Sequence, residues 1–146
     1  MVTLEDDIRR MRETFESLSA ERRITKPPEF GAMVETPAAA LAIPALSKHV
    51  DFFCVGTNDL TQYTLAAARD DASVNDYYLD GHESVLRLLG IILADAGGRP
   101  VTLCGELAGR EAYVPRLLEM GFRALSVAPT VIPTTKALIR GLNTRR

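Results

Sequence analysis

Val50-Asp51-Phe52-Phe53-Cys54-Val55-Gly56-Thr57-Asn58-Asp59-Leu60-Thr61-Gln62-Tyr63-Thr64 is an apolar, β-prone run that stops at Gly-Thr-Asn-Asp and gives way to a helix-compatible segment. Such a boundary describes a buried strand that delivers an amide and a carboxylate to its C-terminal end. Parallel α/β proteins place their chemistry at that end. Glu35 follows a second apolar run, Phe30 to Val34, and Cys104-Gly105-Glu106 closes a third, Val101 to Cys104. Three strand ends that each carry a reactive side chain have the pattern of an active site.

The rest of the chain supplies the helices. Leu4, Ile8, Met11, Phe15 and Leu18 recur at three- and four-residue intervals and predict an amphipathic helix, with Thr3 and Asp6 as its capping box. Lys26-Pro27-Pro28-Glu29 ends it, because proline cannot continue a helix. Thr36-Pro37 supplies an N-cap and a first-turn proline, which predicts a helix through about Ser47. A strand over Asp51 to Val55, a helix from Asp59 to about Ala68 and a polar loop from Arg69 to Asp76 follow. Next come a helix over Glu83 to Ala96 closed by Gly97-Gly98, the Val101 strand, and a helix over Glu111 to Met120 ended by Gly121. Ala124 to Val127 predicts a last strand, Pro133 opens a last helix that Gly141 ends, and Asn143 to Arg146 reads as a frayed tail.

The order is αβαβαβαβα within one domain, residues 1–142. The strands are apolar rather than alternating, which predicts burial on both faces and a parallel sheet with helices outside it. Such a set can form an open sheet or half of a (β/α)8 barrel, whose full length is about 250 residues. Periodicity does not separate the two. Neither GxGxxG nor GxxxxGK[ST] occurs, so the two best-known nucleotide-binding versions of an open sheet are excluded.

Composition narrows the function class. A chain of 146 residues with 47% hydrophobic and 25% charged residues can bury a core of its own. A net charge of -2 offers no basic footprint for nucleic acid or an anionic membrane. No apolar run approaches the roughly 18 residues of a membrane span, and the acidic start Leu4-Glu5-Asp6-Asp7 is no signal peptide. Two cysteines without CxxC spacing argue against a disulfide framework or structural zinc, so a cytoplasmic, reducing setting is expected.

Glu35 and Asp59, each following an apolar strand, suit a hard cation such as Mg²⁺, which takes one or two carboxylates plus substrate and water oxygens. Spacing alone favours the plainer reading, that they cap the N-terminus of the next helix, where negative charge is favourable. Asn58 can donate its amide to an anion, although its spacing favours an N-cap. Arg69 can reach an anion or stay a solvated partner of Asp70 and Asp71. Cys104 at a strand end before a glycine suits proton donation or nucleophilic attack, against the reading of a small buried hydrophobe. Cys54, inside its strand, reads as that buried hydrophobe, and His49 and His82 read as helix-end residues.

Gly31-Ala32-Met33-Val34-Glu35-Thr36-Pro37-Ala38-Ala39-Ala40, the Val50 to Tyr63 stretch and Cys104-Gly105-Glu106-Leu107-Ala108-Gly109 together resemble the phosphoenolpyruvate-utilising enzymes. These are enzyme I of the bacterial sugar phosphotransferase system, pyruvate phosphate dikinase and phosphoenolpyruvate synthase. The resemblance covers essentially the whole chain, and Tyr63 and Leu107-Ala108 look most like enzyme I. It implies that Glu35 and Asp59 match magnesium ligands, while Asn58 and Arg69 match residues that contact phosphoenolpyruvate. Cys104 matches the donor that protonates the enolate to pyruvate.

The resemblance also implies a full (β/α)8 barrel, of which this chain matches the last four strands, and transfer of the phosphoryl group to a histidine on a separate domain. Neither the early-strand arginines nor a phosphohistidine motif is present, and Ala128-Pro129 departs from the family at the last strand end. The expectation is therefore a fragment or split-gene product: the C-terminal half of an enzyme I-like phosphotransferase barrel, inactive alone. Its partners would be phosphoenolpyruvate, the missing half, the phosphohistidine domain and a phosphocarrier protein. A homo-oligomer is expected, because two strand edges and part of the inner face stay uncovered. The rival readings are a non-catalytic half-barrel that binds or assembles, and another pyruvate-forming barrel enzyme such as an aldolase.

Overall fold

Each apolar run becomes one strand of a single parallel sheet. The computed structural model describes residues 2–142, so the expected frayed tail, Asn143 to Arg146, lies outside the described residues. Strands β1 (Gly31–Val34), β2 (Phe52–Gly56), β3 (Val101–Cys104) and β4 (Ala124–Leu125) lie side by side in the order β1-β2-β3-β4. All three pairings are parallel, with Met33 opposite Cys54, Gly56 opposite Cys104 and Leu103 opposite Leu125.

Helices α1 (Glu5–Glu21), α2 (Pro37–Leu41), α3 (Ile43–Leu46), α4 (Thr57–Leu65), α5 (Glu83–Asp95), α6 (Val114–Met120) and α7 (Ile132–Gly141) flank the sheet. Val34, Phe53, Val55 and Leu103 face them and are fully buried with Ile43, Leu46, Leu60, Leu89, Ile92 and Leu117. Every connection steps to the next strand, and the helices cover one face only. A doubly wound sheet reverses direction and packs helices on both faces. The open alternatives of the sequence therefore resolve to a sector of a (β/α)8 barrel, half its strands.

The expectation of strands buried on both faces is corrected. Burial alternates along β1 and β2, and only the face toward the helices is closed. The residues pointing the other way, Met33, Phe52, Cys54, Thr102 and Cys104, are apolar or weakly polar but partly or wholly open. A similar gap appears on α1, where Ile8 is buried while Leu4, Met11 and Leu18, seven residues apart, are exposed. The sequence pattern prepares both surfaces for burial that this chain does not itself supply.

Other boundaries shift for local reasons. Leu4 caps α1 without a side-chain hydrogen bond, so the Thr3–Asp6 capping box does not form; Asp6 pairs with Arg9 and, at 2.8 Å, with Arg10. Thr36 does cap α2, accepting the Ala39 N–H at 3.1 Å. The helix expected through Ser47 is broken into α2, α3 and a 3₁₀ turn over Ser47–His49. Pro44 has no N–H to give and its ring collides with the carbonyl one turn earlier. The strand expected to Val127 ends at Leu125, and α6 starts at Val114 rather than Glu111.

Candidate functional site

At the C-terminal ends of β1, β2 and β3 the chain turns out of the sheet at Glu35, Gly56 and Cys104, and the side chains there converge. Glu35 folds across Gly56: a Cβ on that glycine would stand 2.9 Å from Glu35 Cγ and 3.2 Å from its Oε1. The absence of a side chain at position 56 therefore gives Glu35 its path toward Asp59. Asp59 lies in the first turn of α4. The two carboxylates are close enough that Glu35 holds its proton above the ordinary glutamate range, first because it is partly buried and then because of the Asp59 charge. Two hard oxygen donors in mutual repulsion are a fit for a divalent cation, with substrate and water filling its other positions. Among the described residues no group of three or more His, Cys, Asp or Glu side chains is set to hold a metal, so protein ligands alone do not complete a coordination shell.

Asn58 does not cap its own helix, as its spacing had favoured; Gly56 takes the N-cap position of α4. Its Oδ1 instead accepts the N–H of Glu106 at 3.0 Å, so it caps the turn that follows β3. Its NH₂ makes no hydrogen bond among the described residues and is left to meet an acceptor. Beside it, buried Thr57 donates to the carbonyl of Cys104 at 2.8 Å. Gly105, at φ +97, permits both contacts, since a Cβ there would fall on Thr57 Oγ1 and stand 2.9 Å from Asn58 Oδ1. Tyr78, in the loop after α4, donates its hydroxyl to the Asn58 carbonyl at 3.1 Å. Of these braces, only Gly105 had a sequence signal, its place directly after a strand; Tyr78 had none.

Cys104 is partly buried, and burial first, then the adjoining Cys54 thiol, push its pKa up to about 11. The thiol therefore keeps its proton at neutral pH, which suits an acid better than a nucleophile. Cys54 is not the buried hydrophobe the sequence suggested; it lies half-buried on the same open face. Arg69 is exposed on the loop after α4 and turned to Asp70, with Nε 3.7 Å from Oδ1, so it makes no ion pair with Glu35 or Asp59. The two histidines keep structural duties. His49 Nε2 lies 3.2 Å from Glu5, and His82 caps α5 by accepting the Ser84 N–H at 3.1 Å.

The sequence of residues 1–144 matches the family described as PEP-utilising enzyme, PEP-binding domain. The chain belongs to that family. Among curated relatives, the phosphoenolpyruvate-protein phosphotransferase of Haemophilus influenzae is 40% identical across 98% of this chain and 26% of its own length. That of Streptococcus equinus is 42% identical across 81% of this chain and 21% of its own length. The chain thus spans about a quarter of the relatives it matches. A crystal structure of a citrate lyase from Burkholderia xenovorans superposes with a TM-score of 0.72 at 21% identity, covering 98% of this chain and 48% of that one. At that identity the likeness speaks for the fold, and the coverage agrees with half of a larger barrel. No helix of the described residues is long and apolar enough to cross a membrane.

Proposed function

We propose that this chain is the C-terminal part of a phosphoenolpyruvate-protein phosphotransferase, supplying half of the site that binds phosphoenolpyruvate and Mg²⁺. The observation that carries the reading is the convergence of Glu35, Asp59, Asn58 and Cys104 at three neighbouring strand ends. Glu35 and Asp59 would hold the cation, which when bound supplies positive charge against the phosphate and enolate oxygens. The free NH₂ of Asn58 would orient an anionic oxygen of the substrate, and Arg69 would swing from Asp70 to meet another.

In the reaction, the phosphoryl group leaves the enol oxygen for a histidine outside this chain. The thiol of Cys104 then gives its proton to the methylene carbon of the enolate, yielding pyruvate and a thiolate that takes its next proton from water. A high thiol pKa keeps that proton in place until the enolate has formed. A phosphocarrier protein would be the eventual acceptor, and a reducing cytoplasm would keep both thiols free.

The open inner face and the exposed α1 stripe favour a second element of the proposal: the chain is inactive alone and acts with a complementary half or in an oligomer. The same surfaces support the rival reading, a half-barrel that assembles without turnover. Calorimetric titration of Mg²⁺ and phosphoenolpyruvate, with and without the N-terminal barrel half of a relative, separates the two. Phosphoenolpyruvate binding that needs Mg²⁺ and is lost in Asp59→Asn supports the proposal. Binding unchanged in that variant, or pyruvate release by the isolated chain as a monomer, would overturn it.

A further inference from the structure

The only two cysteines of the chain are both free, and both lie on the open inner face. Cys54 pairs with Thr102 across the parallel ladder, two residues before Cys104, so the two thiols occupy diagonal positions on one face. Both side chains project from that face of adjacent strands, near enough for the Cys54 thiol to act on its neighbour. Strands about 4.8 Å apart and a rise of about 3.3 Å per residue set their Cα atoms roughly 8 Å apart. That exceeds the reach of about 6.8 Å that an unstrained disulfide tolerates. A direct S–S bond thus requires the strands to move. A bridging atom does not: with two bonds of about 2.3 Å at a tetrahedral angle, the sulfurs stand about 3.8 Å apart, a separation that side chains on diagonal positions of one face reach by rotation alone.

The geometry points to Cys54 and Cys104 as a two-thiolate clamp for a bridging thiophile, such as a trivalent arsenical or the soft divalent cation Cd²⁺. Soft sulfur donors select such centres over the hard cations suited to the nearby carboxylates. With an aryl arsenoxide, two As–S bonds form and the As–O double bond is lost. The oxygen leaves as water with the two thiol protons, the arsenic stays trivalent, and no oxidant is needed. Capture removes the Cys104 proton, so the clamp doubles as an inhibitory site. Its existence does not depend on the reaction proposed for Cys104.

The test uses the 146-residue chain and phenylarsine oxide. We expect one arsenical per chain by native mass spectrometry and loss of both titratable thiols. The adduct should survive millimolar 2-mercaptoethanol and be released by 2,3-dimercaptopropanol. Cys54→Ser and Cys104→Ser should each weaken capture by at least about a hundredfold, the usual gain when a second bond is made intramolecularly. The urea-unfolded chain, which keeps both thiols but not their placement, should bind at least about tenfold more weakly and guards against variants that fail to fold. Two arsenicals per chain, one thiol left free, or capture undiminished in Cys54→Ser or in urea would overturn the clamp.

Discussion

Asp51 and Glu35 stand at opposite ends of neighbouring strands, and their carboxylates meet opposite surroundings. One oxygen of Asp51, at the N-terminal end of β2, takes the Phe30 N–H at 2.7 Å and the Arg12 guanidinium at 3.0 Å. The hydrogen bond from Phe30 and then the Arg12 partner hold its pKa below the ordinary aspartate value against a smaller opposing effect of burial. Glu35, at the C-terminal end of β1, meets partial burial and a second carboxylate, and its pKa moves up. The N-terminal end of the sheet is electrostatically closed by the chain itself. The C-terminal end is left with surplus negative charge, an arrangement that costs stability and makes sense where a cation binds.

The largest expected effect tests whether the C-terminal end is built by its backbone. Gly105→Ala forces a side chain into a conformation that nearly excludes one, onto Thr57 and Asn58. It should cost about 3 kcal/mol in urea unfolding, set by backbone strain of that order. A loss below about 1 kcal/mol would show that the β3 turn yields easily. Next in size, Asp51→Ala removes an exposed cap and ion pair at the closed end. It should cost about 1 kcal/mol at neutral pH.

The third variant sharpens the contrast by reversing its sign. Glu35→Gln removes a repulsive carboxylate and should leave stability without Mg²⁺ equal to or slightly above that of the parent, while abolishing stabilisation by Mg²⁺. The pH dependence follows from the two shifts. Asp51, with its pKa lowered on folding, adds stability above the ordinary aspartate value, and that stability is lost as pH falls through the lowered value. Glu35, with its pKa raised, contributes stability that is full below the ordinary glutamate value and lost as pH rises through the raised one. A Glu35→Gln chain that is markedly less stable than the parent at pH 7 would break the comparison.

The smallest expected effect concerns Cys104, whose contribution is full below the ordinary thiol value near 9 and lost as pH rises toward about 11. Cys104→Ser should flatten that alkaline fall in a melting-temperature profile. An unchanged slope would argue that the thiol titrates as if solvated.

The succession of strands and helices along the chain was legible because each apolar run was bounded by proline, glycine or a capping residue, as at Thr36-Pro37 and Gly97-Gly98. The choice of a barrel sector over an open sheet was not legible from periodicity, since it depends on which face the helices cover. The positions of Glu35, Asp59 and Cys104 were readable as strand ends. The duty of Asn58 was not: an N-cap for the wrong helix has the same sequence signature as one for its own. Cys54 was misread for a related reason, because an apolar strand does not say which of its two faces will lie open.

The braces between the ends of β2 and β3 join residues 47 and 48 positions apart in the chain. Contacts of such sequence separation carry a somewhat larger loop-closure cost than the pairing of β1 with β2, about 0.6 kcal/mol per doubling of the loop. A chain that has paired β1 with β2 already places Glu35 beside Asp59, yet it lacks the Cys104 thiol and the partner that fixes Asn58. The cleft thus depends on two separate closures, a charged pair set by β1 with β2 and a donor wall set by β2 with β3.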